Sequence, residues 1–575
     1  MRFRVFIVAS CLLIGFSACK KEFLQMPLSS TTTIDSVFST WTKAQGAVSN
    51  AYKTCLSQGL PYANWWDAMI QENLTGGMNY GFSWTQSKNI VLNGLSASSV
   101  NEDMDGYANN FPPIRQAYNV IENIDKVKDL SAADKATIKG EMRALIAYRY
   151  EQMFIMYGGV PIISKSLSAS ADSLAIPRQP LKAVLDSVVS WCDQAIPVLP
   201  STWPAALTGR MTKAGALTIK AKALLYAARP LFNTATPYLD FGSNNNLICL
   251  GNVDPTRWAT AAAASEAVIT EAETNGGNSI INTGNPLDDY GNATSLPSNP
   301  EVILAFKFRN TTLFDGGNWN NLPMNAFYNC RVWEAQGNVL TSNMLENYYK
   351  ADGTNQTWPA LDVVTPFSDY TSRVNQMEPR FKVCFQPWEM DAWSNPGDAN
   401  WKNASTFGSQ PGFGVARVTK FWYKASSRTW FEFPIFRLAA AYLSSAEAFN
   451  ELGQTQNALN RLNKIHTRAG LPAITETDQA KLRAIIQREW AVEFFDENYR
   501  LHDVKHWKLP NIGNGIIGGP IRAFAYNNGA SVKVTGNTNY NDKVIYNAFW
   551  APKQYLNPFP QTEINKGYLI QNPGY

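Results

Sequence analysis

A chain of 575 residues, 45% hydrophobic and 17% charged, holds enough apolar material to bury roughly three-quarters of its unfolded surface, which excludes wholesale disorder. Fifty Lys and Arg stand against forty-six Asp and Glu, a net charge of +4. The two signs are interspersed, so the concentrated basic footprint of a nucleic-acid binder is missing.

At the start, Arg2 and Arg4 make a basic patch, Val5 to Ala18 an apolar run, and Phe16-Ser17-Ala18-Cys19 sets small residues before a cysteine. This is the pattern of a bacterial lipoprotein signal peptide over residues 1–18, with Cys19 as the lipidated first residue of the mature chain. The apolar run is shorter than the ~18–20 residues of a membrane-spanning helix. No later segment is apolar enough to span a bilayer, so attachment is expected to rest on the lipid. An ordinary secretory signal beside a chance cysteine is the alternative.

Three textures follow: residues 19–234 are dominated by helix signals, 235–430 form a loop-rich part, and helix returns in 431–575. Ser131-Ala132-Ala133-Asp134 resembles a capping box and opens a helix with Ile138, Met142, Leu145, Ile146 and Met153 on one 3.6-residue period. Gly158-Gly159 and Pro161 end it. A second helix runs from Thr212 to Arg229, and its many alanines allow a neighbouring helix close approach. A third is predicted to begin after Pro434 and stop at Leu452-Gly453. Thr455 is placed to cap a fourth, which presents Leu459, Leu462 and Ile465 on one face before Gly470 and Pro472. Helix, short Gly turn and helix over ~34 residues is the unit of tetratricopeptide-type repeats. No strict period recurs, so an irregular helical domain is the alternative. The expected fold class is mainly all-α.

Of seven cysteines, Cys55, Cys192, Cys249, Cys330 and Cys384 remain once Cys11 and Cys19 are set aside. Their number is odd and none shares a CxxC spacing, so they suggest neither a zinc site nor a disulfide framework. They read as small buried hydrophobes, with one or two bridges allowed in an oxidising compartment.

His502 and His506 are four apart, but a zinc-protease helix needs Glu directly after the first His, and Asp503 stands there. No metal or cofactor is expected. Glu489, Glu493, Arg500 and Asp503 sit among Trp490, Phe494, Phe495 and Trp507 and read as ion pairs clamped between packed helices. Asp288-Asp289, Asp391 and Asp398 are available to a glycosidase, which needs two carboxyls ~5–9.5 Å apart. No Gly-x-Ser-x-Gly elbow, phosphate loop or dinucleotide fingerprint accompanies them.

Eight of the eighteen Trp lie between Gly276 and Trp430, where helix signals are weakest. Tryptophan or tyrosine beside Asn, Asp and Gly suits a sugar: a pyranose packs its C–H face on a ring while its hydroxyls need directed polar partners. Such clusters are Asn64-Trp65-Trp66-Asp67, Asn79-Tyr80-Gly81-Phe82-Ser83-Trp84, Asp289-Tyr290, and Phe314-Asp315-Gly316-Gly317-Asn318-Trp319-Asn320. Trp65, Trp66, Trp333, Trp422 and Trp430 also read as packing residues.

In Phe23-Leu24 and Pro27 after the cysteine, Tyr157 to Pro161 at a helix end, Gly209 to Lys213, Glu489 to Trp507 and Gln571 to Tyr575, the chain resembles the SusD/RagB family of outer-membrane lipoproteins, which act beside TonB-dependent transporters in nutrient uptake. Phe23-Leu24 and Pro27 are similar to the family's lead-in after the lipid cysteine. Arg143 to Tyr150, followed by Tyr157-Gly158-Gly159-Val160-Pro161, resembles its helix and turn. Gly209-Arg210-Met211-Thr212-Lys213, Ala446 to Gly453, and Arg468-Ala469-Gly470-Leu471-Pro472 are similar to further segments. Ile486, Glu489, Glu493-Phe494, Glu497, Arg500, Asp503 and His506-Trp507 resemble its carboxy-terminal helix pair, and Gln571 to Tyr575 its terminus. Trp490 and His506 stand where the family commonly has Arg, and Asn498 where it has Gly.

The resemblance implies a helical scaffold with tetratricopeptide-like hairpins that binds a nutrient without changing it, with no cofactor. It also implies attachment to the outer membrane, a SusC-like TonB-dependent transporter as partner, and an oligosaccharide or polysaccharide ligand. The expected contact residues are Asn79, Tyr80, Trp84, Asp289, Tyr290, Asn318 and Trp319. A secreted helical glycan-degrading enzyme is the rival reading, and a peptide or glycopeptide ligand the variant within the binding class.

Overall fold

Capping and periodicity place the main helices of the computed structural model, which describes residues 33–57, 71–79, 86–98, 106–168, 174–307, 339–393, 413–421, 432–509, 517–527 and 536–575. In chain order they are α1 (Trp41–Ser57), α2 (Phe111–Asn123), α3 (Ala132–Tyr157), α4 (Leu181–Ala195), α5 (Lys213–Ala228) and α6 (Thr256–Thr274). The list continues with α7 (Pro286–Ser295), α8 (Pro379–Cys384), α9 (Leu438–Glu451), α10 (Thr455–His466), α11 (Gln479–Glu493) and α12 (Arg500–His506).

Ser131 caps α3, its hydroxyl accepting from the Asp134 amide at 3.1 Å, and Thr212 caps α5 through the Gly215 amide at 3.2 Å. Each such cap satisfies an amide that the first turn leaves without a helical partner. Gly158 closes α3 at φ 79°, and a Cβ there would lie 2.6 Å from the Leu247 carbonyl oxygen, so both backbone shape and space exclude a side chain. Two expectations need correction. The third predicted helix starts at Leu438, because Pro434 lies in a strand instead. Thr455 is the first residue of α10 rather than its cap, and the cap position, Gln454, makes no side-chain bond.

The helices stack in sequence: α1 and α2 pack on α3, then α3 on α4, α4 on α5, α5 on α6, α6 on α9, and α9 on α10 and α11. The alanines serve this stack. Ala214, Ala216, Ala223, Ala439 and Ala446 are buried with at most 1% exposure, so backbones approach closely, as in stacked helix hairpins.

Nine short strands complete the described residues: β1 (Met78–Asn79), β2 (Val302–Lys307), β3 (Val339–Leu340), β4 (Thr365–Pro366), β5 (Phe385–Pro387), β6 (Ala416–Val418), β7 (Glu432–Arg437), β8 (Gly519–Tyr526) and β9 (Asn539–Ala548). They form sheets of order β1-β3-β6-β5, β2-β7 and β4-β9-β8. Pro434 is tolerated in β7 because a two-stranded sheet leaves each strand one open edge. Residues 235–430 therefore carry more regular structure than their composition suggests.

The charged residues of the carboxy-terminal helices form a buried ionic network, as expected. Arg437 binds Glu301 at 2.6 Å, Glu493 at 3.0 Å and Glu497 at 2.8 Å. Arg380 binds Glu489 at 2.6 Å and Glu378 at 2.7 Å, Arg468 binds Glu493 at 2.5 Å, and Lys420 binds Glu497 at 2.6 Å. Asp503 and Glu447 clamp Arg229 at 2.6 and 2.8 Å. Burial alone would raise the Glu489 carboxyl, but Arg380 and His466 outweigh it and hold it well below the usual range. A network of this kind is costly to desolvate and more costly to break, since each lost partner leaves a buried charge.

The junction between α11 and α12 absorbs the three departures from the family pattern. Asn498 adopts φ 64°, a left-handed conformation that Asn tolerates better than other non-glycine residues. Trp490 packs on Phe494 and Tyr499 with ring centroids 5.1 and 5.5 Å away. His506 presents its ring to Tyr226 and Phe232 and hydrogen-bonds the Ile155 carbonyl at 3.0 Å. Cys55, Cys192, Cys249 and Cys384 are free and buried, and burial pushes the Cys55 thiol up to about 12. Cys11, Cys19 and Cys330 lie outside the described residues.

Candidate functional site

Asn79, one of the expected contact residues, lies at the edge rung of a sheet. Asn79, the last residue of β1, is the antiparallel partner of Val339, the first residue of β3, and Val339 in turn faces Arg417 of β6. Asn79 is the last described residue before Tyr80, and Val339 the first after Asn318 and Trp319. Tyr80, Trp84, Asn318 and Trp319 lie outside the described residues, as do Trp65, Trp66, Trp333, Trp422 and Trp430.

The rung is fastened by side chains. Asn79 is only 6% exposed. Its amide donates to the Phe413 carbonyl at 3.3 Å, and its Oδ1 accepts from Lys88 Nζ at 3.1 Å. Both ends of the side chain are engaged, which corrects the expectation that Asn79 contacts ligand: it positions the rung. Phe413 is the first described residue after 393. A Cβ on Gly414 would lie 2.5 Å from the Val339 side chain, the close approach that glycine permits.

Lys88, from the short helix Gln86–Asn93, has no neighbour in sequence that marks it as part of a site. Its ammonium sits 3.3 Å from the centroid of the Tyr546 ring, a cation–π contact that is strong when desolvated, and burial lowers its proton affinity to about 8. Helical periodicity shows which face Lys88 occupies, but only the tertiary structure brings Tyr546 and Asn79 to it.

Below the sheet lies a buried aromatic layer. Tyr370 donates to the Val415 carbonyl at 2.8 Å, and Trp388 Nε1 donates to the Gly414 carbonyl at 3.1 Å. Arg417 stacks over the Trp388 ring at 4.9 Å. Backbone groups beside β6 are thus tied to rings with few rotamers, which stiffens the sheet.

Tyr290 and Asp289 do not belong to this site. Tyr290 is fully buried in α7, and its hydroxyl donates to the Glu493 carbonyl at 3.0 Å, so neither face is open to a sugar. Asp289 is 1% exposed and accepts from the Thr283 amide and hydroxyl at 2.9 and 2.6 Å. Polar and glycine neighbours surround both in sequence, but those neighbours belong to the helix α7, which packs in the interior. Asp288 accepts from Asn285 at 2.7 Å and from Trp393 Nε1 at 3.0 Å. The Asp288-Asp289 pair is thereby committed to holding α7 rather than to acid–base chemistry. Among the described residues no cluster of three His, Cys, Asp or Glu could hold a metal, and no helix is long and apolar enough to cross a membrane.

Comparison with known proteins matches residues 300–575 to the family described as SusD family, and residues 38–225 to one described as starch-binding and associating with outer membrane. Among solved structures, a SusD-like protein from Bacteroides fragilis superposes with a TM-score of 0.73 at 22% identity, covering 94% of this chain and 98% of its own. A SusD-like carbohydrate-binding protein from the same organism gives 0.66 at 19% identity, covering 93% and 99%. A protein described as laminarin-binding and SusD-like gives 0.61 at 17% identity, covering 94% and 100%. Among curated proteins there is no match. At these identities the structural likeness speaks for the fold, a helical scaffold of stacked hairpins.

Proposed function

This chain is a member of the SusD/RagB family, and from that premise we propose that it is a lipoprotein of the outer membrane, anchored through Cys19. It binds oligosaccharide or polysaccharide without cleaving it and delivers it to a SusC-like TonB-dependent transporter. The observation that supports the reading is the rung at Asn79 and Val339, which pairs the residue before Tyr80 with the first described residue after the Asn318–Trp319 segment. Aromatic and polar side chains together are what a ligand gripped on its C–H faces and hydroxyls requires. The family description of starch binding and outer-membrane association and the laminarin-binding neighbour support a carbohydrate ligand. The commitment of Asp288 and Asp289 to packing supports binding over hydrolysis.

The contact residues of this reading are Tyr80, Trp84, Asn318 and Trp319, with Asn79 and Lys88 positioning them. Purified protein incubated with a glycan panel, scored for retention and for released product together, tests it. Retention with no product is expected. Product that disappears when one carboxylate is changed would establish the enzyme instead, and retention of peptides alone would move the ligand class.

A further inference from the structure

We propose that a cavity behind the rung is a binding site for one small monovalent anion, a halide or a formate-sized carboxylate, held by the Lys505 ammonium with the His502 ring beside it. The cavity encloses about 40 Å³. That exceeds the ~10–15 Å³ that admits one water and falls far short of the ~300 Å³ of pockets for larger ligands.

Lys505 and His502 lie three residues apart on α12 and so share one helix face. They are 8% and 7% exposed, and both line the cavity. Among the described residues the Lys505 ammonium makes one hydrogen bond, to Asn557 Oδ1, and at 3.4 Å it is beyond the usual N–H···O range. No carboxylate of the described residues reaches salt-bridge distance of it, and His502 has no side-chain hydrogen bond there. Other buried cations are better held: Arg229, Arg380, Arg437, Arg468 and Lys420 each rest on one or more glutamates or aspartates, and Arg178 donates to the Gly159, Ile570 and Tyr157 carbonyls and to Asn572 Oδ1.

The charges that act on the His502 ring come from Lys505, Lys222 and His506, with no acidic group among them. Burial lowers Lys505 to about 8, so the ammonium keeps its proton at neutral pH and needs a counter-charge in a poorly solvated place. Apolar side chains such as Ile90, Met156 and Phe549 make up much of the remaining wall. Gln71 and Leu74 line the cavity from before β1, and Ile90 and Val91 from the helix after Trp84. A bound anion therefore bridges the two helices that flank the Tyr80–Trp84 segment. The inference does not depend on the glycan reading.

Crystals of the full chain soaked in bromide are expected to show an anomalous peak about 3–3.5 Å from Lys505 Nζ. In solution, chloride titrated at constant ionic strength against gluconate, which is too large for the cavity, is expected to raise the melting temperature saturably by about 1–2 °C. Formate in place of chloride distinguishes a carboxylate site from a halide site. Lys505→Met should lose both the peak and the chloride dependence. No peak in the wild type, or equal chloride shifts in wild type and variant, overturns the proposal. So does a peak without a saturable response, since that marks an adventitious ion only. The wild-type diffraction result decides the matter even if the variant fails to fold.

Discussion

Asn79 and Val339 face each other as antiparallel partners although 339 − 79 = 260 residues separate them. Through that one pairing, the end of β1 and the start of β3, remote in sequence, share a root. Phe413 joins them through its carbonyl, which accepts from the Asn79 amide. The rung holds together because Gly414 leaves room for the Val339 side chain.

Gly414→Val should therefore act at a distance. The added methyl groups meet Val339, and overpacking of this kind costs about 1–3 kcal/mol. We expect glycan retention to fall as far as it does when Trp84 and Trp319 are both replaced, while the far-UV circular dichroism of the helices stays unchanged. Loss of helix signal, or full retention, would refute the shared root.

Trp84→Ala and Trp319→Ala should each weaken retention by about 1–3 kcal/mol, taking stacking of a base on an aromatic ring as the analogue. Affinity electrophoresis in glycan-containing gels reads this directly. Tyr290→Phe serves as the contrast. It removes a hydrogen bond to the Glu493 carbonyl, so stability should fall by about 1 kcal/mol while retention is unaltered.

Glu493→Gln should destabilise the fold by about 3–5 kcal/mol, measured by urea unfolding, because Arg437 and Arg468 would be left with an incomplete set of buried counter-charges. The exposed pair Lys182–Asp186, whose side chains are 73% and 59% accessible, sets the scale of an inconsequential bridge. Lys182→Ala should change stability by less than about 0.5 kcal/mol.

Acid should unfold the protein through the same network. Burial opposes ionisation of Glu493, but Arg468, Arg437 and Arg380 outweigh it and hold the carboxyl at about 2. The unfolded chain takes up its proton first, near the ordinary ~4.3. The contribution of Glu493 is thus complete above that value and disappears as pH falls towards about 2. Unfolding free energies across this window should fall more steeply for the wild type than for Glu493→Gln.

Lys505 carries the opposite balance. Its folded proton affinity is lowered to about 8 by burial, against an ordinary ~10.4. Between those values the unfolded chain holds more protons, so stability rises with pH. In a medium containing only large anions, Lys505→Met should be more stable than the wild type at pH 7, by up to about 3 kcal/mol. The advantage should shrink as pH rises through that window. An advantage independent of pH would show that packing, rather than charge, is responsible.

The sequence by itself determined whatever depends on neighbours within a few residues. The caps of α3 and α5 need only a hydroxyl three residues before an amide, the alanine-rich helix faces need only a 3.6-residue period, and the structural reading of Glu489 and Glu493 followed from the aromatic residues around them. Tertiary structure alone decided exposure and partnership. Tyr290 has the polar neighbours of a binding loop, yet its hydroxyl meets a carbonyl 203 positions away. Asn79 looks free to meet a ligand until Phe413 and Lys88 occupy both ends of its side chain. Phe436 and Arg437 stand where a helix was expected after Pro434, yet β2 pairs with them. A capping bond or a helical stripe closes within one or two turns of chain, whereas the covering of a ring or an amide is set by whichever distant segment packs on it, and no local pattern records that segment.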